Sequence, residues 1–241
     1  MTELVLFCGG PADYQGGVPK PMQVVNGDQT LLELYLSCPF ALDFDRITLL
    51  CETSQVDMFR IAIEEFNTTV EFLISESADN SSTFEKLSAF VASRTESEQQ
   101  VVFSYPDVFY FDSVPCDGDF DYSSEVSISV RAFTSRFPRL VLEPFANRAR
   151  SISMHRSHVP ANPVHLFAGH LVARINVLAS LIEDIVDISI MPSVSLEFDF
   201  FQELISRGIV NTIGLESAWV QADGPRDLKQ IVSLLNAPAS R

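Results

Sequence analysis

Lysine is scarce in this 241-residue chain: only Lys20, Lys86 and Lys229 stand against thirteen arginines. Basic residues as a whole are outnumbered, sixteen to thirty-two acidic ones, for a formal net charge of −16. A surface that acidic repels a polyphosphate backbone unless a local basic patch reverses the field, and the sequence has no such patch, so a nucleic-acid partner is excluded. Glycine (10) and proline (13) are too few for a collagen-like or disordered chain. Cys8, Cys38, Cys51 and Cys116 are scattered without Cys-x-x-Cys spacing, as expected of reduced core thiols rather than a disulfide frame or a structural zinc site. No uncharged apolar run reaches the roughly 18 residues that would span a bilayer, so no membrane partner is expected. The start, Met1 to Phe7, lacks a basic leader region, and the expected location is cytoplasmic.

What is present is an ordinary globular composition, 46% hydrophobic, in a chain long enough to bury a substantial core. Leu4 to Cys8 is a short apolar run that stops at Gly9-Gly10 and opens a loop reaching Met22, a strand followed by a loop of functional type. Leu31 to Leu36 predicts a helix, Ile47 to Cys51 a buried strand, and Ser54 the cap of a helix with Val56, Phe59, Ile63 and Phe66 on one face. Val70 to Ile74 is a strand, Ser82-x-x-Glu85 has capping-box spacing, and Val101 to Tyr105 is a further strand running into Asp107.

Beyond residue 112 the pattern changes. Strands at Val126–Ala132, Arg139–Glu143, Ser151–Met154 and Leu166–Arg174 read as mixed or antiparallel. Helices at Val177–Val186 and Phe200–Ser206, a strand at Ile209–Ile213 and a helix at Pro225–Leu235 close the chain. The expectation is one α/β domain over 1–241: a mostly parallel central sheet with helices on both faces, Rossmann-like in its N-terminal half (1–112) and mixed-stranded in its C-terminal half (113–241). Ligands in such sheets bind at the carboxyl ends of the strands.

Two constellations carry chemistry. The first runs from Gly9 and Gly10 through Gly16 and Gly17 to Pro19-Lys20-Pro21-Met22. Glycines let backbone N–H groups approach phosphate oxygens, and a lysine held between prolines can neutralise charge at phosphorus; a solvated surface loop is the bland alternative. The second is histidine: all four, His155, His158, His165 and His170, fall within sixteen residues. That clustering invites a metal site, but no zincin-like motif accompanies it, and on a regular strand His165 and His170 would face opposite sides.

The first loop resembles the signature of sugar-1-phosphate nucleotidyltransferases, Gly-Gly-x-Gly-Thr-Arg-Leu followed by Pro-Lys-Pro. Gly27-Asp-Gln-Thr-Leu-Leu-Glu33 resembles that family's helix entry, Ser104-Tyr-Pro-Asp107 its Gly-Asp strand end, and Ser195-Leu-Glu197-Phe-Asp199 with Arg207-Gly208 its Ser-x-Glu-x-Asp segment. Trp219-Val-Gln-Ala-Asp223-Gly-Pro225-Arg-Asp227-Leu228 resembles its closing Trp-x-Asp-x-Gly-Thr-Pro-Glu-Asp-Leu. The resemblance implies a glycosyltransferase-A-like fold and a Mg²⁺-dependent reaction joining a nucleoside triphosphate to a hexose or heptose 1-phosphate with release of pyrophosphate. It implies Lys20, Asp107 and Asp223 as catalytic residues, with Asp107 and Asp223 holding the metal. It further implies that Gly9, Gly10, Gly16, Gly17 and Asn80 face the nucleotide, and that His155, Arg156, Gly169 and Glu197 face the sugar phosphate. Pro-Lys-Pro-Met is closest to cytidylyl- and guanylyl-transferring branches, whose usual products feed surface polysaccharide or lipopolysaccharide.

The chain also departs from that pattern. Ala12, Asp13 and Tyr14 stand where the family has glycine, threonine and the arginine that clamps the triphosphate, and Pro106 replaces a glycine and its N–H. Glu76 to Thr83 resembles the Leu-Gly-Thr-Ala-Gly base-binding turn without its glycines. Taken alone, Asp107 suits a strand-end cap and Asp223 a helix cap beside Pro225. Asp13 is a candidate for an altered metal site. A non-catalytic relative that binds a nucleotide or sugar phosphate, or serves as a partner subunit, is the second expectation, and a glycosyltransferase consuming a nucleotide sugar the third. The aromatic clusters Phe109-Tyr110-Phe111 and Phe198, Phe200, Phe201 suit core packing first and a homo-oligomeric interface second.

Overall fold

The structure is a computed structural model, and it describes residues 3–9, 18–42, 44–64, 66, 70–95, 99–110, 125–132, 139–142, 149–153, 165–188, 194–214 and 219–235. In chain order, strand β1 (Glu3–Phe7) is followed by a hairpin of β2 (Val24–Asn26) and β3 (Gln29–Thr30), then by helices α1 (Leu31–Leu36) and α2 (Pro39–Leu42). Next come β4 (Arg46–Glu52), α3 (Val56–Glu64), β5 (Glu71–Ser77), α4 (Thr83–Ala92), β6 (Gln100–Ser104) and the short β7 (Val108–Tyr110). The second half contributes β8 (Val126–Ala132), β9 (Arg139–Leu142), β10 (Ala149–Ser153), β11 (His165–Arg174), α5 (Ile175–Ile188), α6 (Phe201–Ser206), β12 (Val210–Gly214), β13 (Trp219–Gln221) and α7 (Pro225–Leu235).

Nine of these strands form one sheet in the order β10-β9-β11-β6-β1-β4-β5, with β8 pairing β11 and β12. Strands β6, β1, β4 and β5 are parallel, the product of strand–helix alternation, and β11 joins β6 antiparallel. The α/β expectation holds, with a sheet that turns mixed where the second half begins. Side-chain alternation splits the core into two layers. Leu4 and Leu6 of β1 face α1, α2, α3 and α7, whereas Val5 and Phe7 face α4, α5 and α6. No helix among the described residues is long and apolar enough to cross a membrane.

Local chemistry accounts for most element starts. Thr30 and Ser82 each cap a helix reciprocally with the glutamate three residues on, Glu33 and Glu85. Ser54 does not cap α3 as expected: Thr53–Gln55 form a 3-10 turn opened by Glu52, while the Ser54 N–H donates to Asp79 Oδ1 at 2.9 Å. A chain-distant carboxylate thus takes Ser54, and the helix begins at Val56, ending before Phe66. At the amino edge of the sheet the buried Glu3 carboxylate is satisfied by Thr48 Oγ1 (2.6 Å), Gln99 Nε2 (2.9 Å) and Arg94.

In β11, Gly169 lies at φ +94° and the register with β8 shifts between Phe167 and Leu171. The bulge breaks strict strand alternation between His165 and His170. His170 is fully buried, Nδ1 lying 3.3 Å from Ser129 Oγ and its ring centroid 4.8 Å from that of Phe40. Burial lowers its pKa from 6.5 to about 3. The unfolded chain therefore takes up this proton below about pH 6.5 while the folded chain resists it, so stability falls as pH drops through that window, at about 1.4 kcal/mol per pH unit. Urea-unfolding free energies of wild type and His170→Asn should diverge on acidification, the wild type losing about 2 kcal/mol more between about pH 7 and pH 5. Parallel pH dependences would contradict this assignment.

Candidate functional site

Because β1, β4, β5 and β6 run parallel, their carboxyl ends share one edge of the sheet. Glu52 ends β4 at that edge, and Gly9, the 78–82 turn and Asp107 follow strands there. Lys20 is brought there by its prolines. The restricted Pro19 backbone (φ −54°) enters a 3-10 turn over Lys20–Met22, closed by Met22 N–H to Pro19 O at 2.9 Å. The Leu31 N–H then donates to Gln23 O (2.9 Å), tying the loop to the start of α1.

Asp107 and Asp223 are 116 positions apart, and what joins them is a small antiparallel pair. Strand β13 pairs β7 with Val220 opposite Phe109, and Ala222 N–H donates to Asp107 O at 2.8 Å. Asp223 therefore emerges beside Asp107. Leu228 N–H bonds Gly224 O, so α7 begins one residue later and Asp223 is not its cap.

Lys20 Nζ lies 2.5 Å from Asp107 Oδ2 and 3.4 Å from Asp223 Oδ1. Burial works against this ammonium, but the two carboxylates outweigh it and its pKa lies above the ordinary lysine value. The three charged residues predicted from the signature thus meet at one point, in a partly buried setting where side chains are 14 to 28% exposed. Two anions around one cation is also what a divalent ion requires. The second oxygen of Asp107, Oδ1, is buried and accepts no hydrogen bond among the described residues, leaving lone pairs for a further cation. No group of three or more potential metal ligands exists among the described residues.

The other sequence-predicted residues separate. Asn80 occupies the turn before α4 at φ +63°, the left-handed conformation that a glycine would ordinarily supply and that asparagine tolerates. The turn without glycines therefore retains a glycine-like bend. Asp79 beside it has its pKa lowered by the Ser54 N–H it accepts. Glu197 sits in a π turn (Leu196–Phe200) whose first N–H groups are served by Ser195, and its Oε1 accepts from the Tyr105 hydroxyl at 2.7 Å. Tyr105, two residues before Asp107, is half-buried and packs against Phe7 (centroids 5.2 Å apart), and its desolvation raises its pKa. The close approach at Gly169 is made by the chain itself: a Cβ there would meet Val108 Cγ1 at 3.0 Å. Gly10, Gly16, Gly17, His155 and Arg156 lie outside the described residues, as do Asp13 and Cys116. Cys8, Cys38 and Cys51 are buried free thiols.

Sequence reasoning missed the β7–β13 pair and Tyr105. Alternation in Val108-Phe-Tyr and Trp219-Val-Gln is too short to register as a strand, and only the partner makes it one.

No protein-family model matches the chain, and no curated protein matches it. Solved structures do. An inositol-1-phosphate CTP transferase from T. maritima superposes with a TM-score of 0.73 at 15% identity, covering 99% of this chain and 98% of that one. HddC from Yersinia pseudotuberculosis complexed with GMP-PN gives 0.69 at 16%, covering 98% and 100%. A UTP-bound UGPase from Acinetobacter baumannii gives 0.69 at 14%, covering 97% and 92%. These structural neighbours are sugar-1-phosphate nucleotidyltransferases, and the chain shares their fold.

Lys20→Met leaves Asp107 and Asp223 beside one another without their cation and should lower unfolding stability by about 1–3 kcal/mol. The Lys20→Met/Asp107→Asn pair should be non-additive by more than about 0.5 kcal/mol in a double-mutant cycle. Simple additivity would show that the ion pair does not exist in solution.

Proposed function

We propose that the protein is a nucleotidyltransferase that joins a nucleoside triphosphate to a hexose or heptose 1-phosphate and releases pyrophosphate. The observation that carries this reading is the convergence of Lys20, Asp107 and Asp223 at the carboxyl edge of the parallel strands. One neighbour is complexed with GMP-PN and another is UTP-bound, which supports a nucleotide as one substrate.

A phosphate oxygen of the sugar phosphate attacks the α-phosphorus of the triphosphate. One P–O bond forms there, the α–β anhydride bond breaks, and its electrons leave with pyrophosphate. Such a transfer needs alignment and charge neutralisation, not a nucleophilic side chain. Lys20 is suited to the α-phosphate: its ammonium stays charged across the neutral range and is fixed by the flanking prolines. In the free protein it lies on the two aspartates, the residues that would hold Mg²⁺, within reach of an arriving phosphate. A bound Mg²⁺ supplies further neutralisation at the phosphate oxygens. Gly9, Gly10, Gly16, Gly17 and Asn80 are assigned to the nucleotide. His155, Arg156 and Glu197 are assigned to the sugar phosphate, where Tyr105 would hold one Glu197 oxygen and leave the other for a substrate hydroxyl.

Pyrophosphate release should be detected when a panel of nucleoside triphosphates is incubated with sugar 1-phosphates and Mg²⁺, and should vanish with a chelator. Asp107→Asn and Asp223→Asn should each lower kcat by about 10²–10³-fold, the scale for removing one preorganised electrostatic group. Undiminished turnover in both variants would contradict the assignment. Ligand binding without turnover by wild type would point instead to a non-catalytic relative.

A further inference from the structure

Lys86, another of the three lysines, is buried where burial is costly. Its side chain is 2% exposed, and from α4 its Nζ reaches Glu52 Oε1 at the end of β4 (3.3 Å) and the Ser81 carbonyl oxygen in the turn before its own helix. Glu52 is 8% exposed and also accepts from the Gln55 N–H, while its own N–H donates to Gln55 Oε1 at 3.3 Å. Desolvating such a pair offsets most of its attraction, so apolar residues of the same shape would hold the fold as well.

The location of the pair is more informative than its energy. A Cβ on Gly9 would lie 2.6 Å from Lys86 Cε and 3.2 Å from both Cys51 Cα and Glu52 N. The lysine stem therefore passes through space that only glycine leaves open. The Gly9 N–H is itself bonded to Leu50 O at 3.0 Å. The same turn is braced by Ser77 Oγ, which lies 2.8 Å from Ser81 Oγ and donates to Cys51 O at 3.1 Å. Three chain segments meet along one lysine side chain: the start of the first loop beside its Cε, and the end of β4 and the turn carrying Asn80 at its ammonium.

We infer that Lys86 is a positioning residue for the nucleotide half of the site, fixing the 78–82 turn against Gly9 so that base and triphosphate contacts are held in one register. The inference rests on the nucleotidyltransferase reading, under which Gly9 and Asn80 face the nucleotide. It assigns Lys86 no contact with the reacting atoms. It also gives Gly9 a role independent of phosphate approach, since an alanine there would displace the lysine.

The test is calorimetric titration of the full chain with the nucleoside triphosphate that wild type binds best, together with steady-state kinetics. Lys86→Met/Glu52→Gln removes both charges with little change of shape, and Glu52→Gln alone, which weakens the anchorage of Lys86 without altering a nucleotide-facing residue, is the second probe. Both should weaken nucleotide binding about tenfold, the scale of a lost hydrogen bond to a charged group. The KM for the sugar 1-phosphate should change less than about twofold. A purely structural pair would lower Tm and leave the nucleotide Kd of the folded variants unchanged, and that result would overturn the inference. Should the double variant not fold, Glu52→Gln alone decides between the same two outcomes. If wild type itself binds no nucleoside triphosphate, the reading of the whole site fails and this inference with it; equal binding by wild type and variants sinks the inference alone.

Discussion

An antiparallel pairing of only three residues per strand governs how this molecule concentrates charge. Without β7 against β13, Asp107 would end a parallel strand in the first half of the chain and Asp223 would precede the last helix, with nothing to bring them together. The backbone bond from Ala222 N–H to Asp107 O brings the aspartates side by side, and the repulsion this creates is relieved by Lys20. Like charges gathered in a partly buried place are unfavourable unless a cation is present. The free protein supplies that cation from its own loop, so the carboxylates are organised before any ligand arrives.

The surrounding architecture serves this arrangement from below. Both faces of the sheet are packed, and groups of paired charges lie at its two edges. At the amino edge Glu3, Thr48, Arg94 and Gln99 satisfy one another. At the carboxyl edge the charged groups form two sets: Lys20, Asp107 and Asp223 from loops and strand ends in one, Lys86 of α4 and Glu52 at the end of β4 in the second. The two groups place two of the three lysines of an acidic chain at the single edge where parallel strands present their ligand-binding loops.

Much of this was legible in the sequence, for identifiable reasons. Helix α1, helix α7 and the capping box at Ser82 are specified by contiguous residues, and they lie where spacing and proline position indicate. Lys20, Asp107 and Asp223 could be singled out because motif order survives even where motif letters do not. Other features depend on partners remote in the chain. Ser54 lost its capping role to Asp79, and the bulge at Gly169 follows from packing against Val108 and β8. Asn80 shows the converse: glycine was missing as a letter, while the backbone conformation persisted in a residue able to adopt it. Identities of 14 to 16% to the neighbouring structures are in keeping with a fold retained through spacing and geometry more than through residue identity.

The central claim is that Asp107 and Asp223 enclose one cation position shared with Lys20. Crystals grown with Mn²⁺ and a nucleoside triphosphate test it most directly, through the anomalous signal of the metal. The account predicts a peak bonded to both carboxylates, with Lys20 moved onto a phosphate oxygen. A peak bound elsewhere, or Lys20 still seated on both aspartates beside a fully occupied nucleotide, would contradict it.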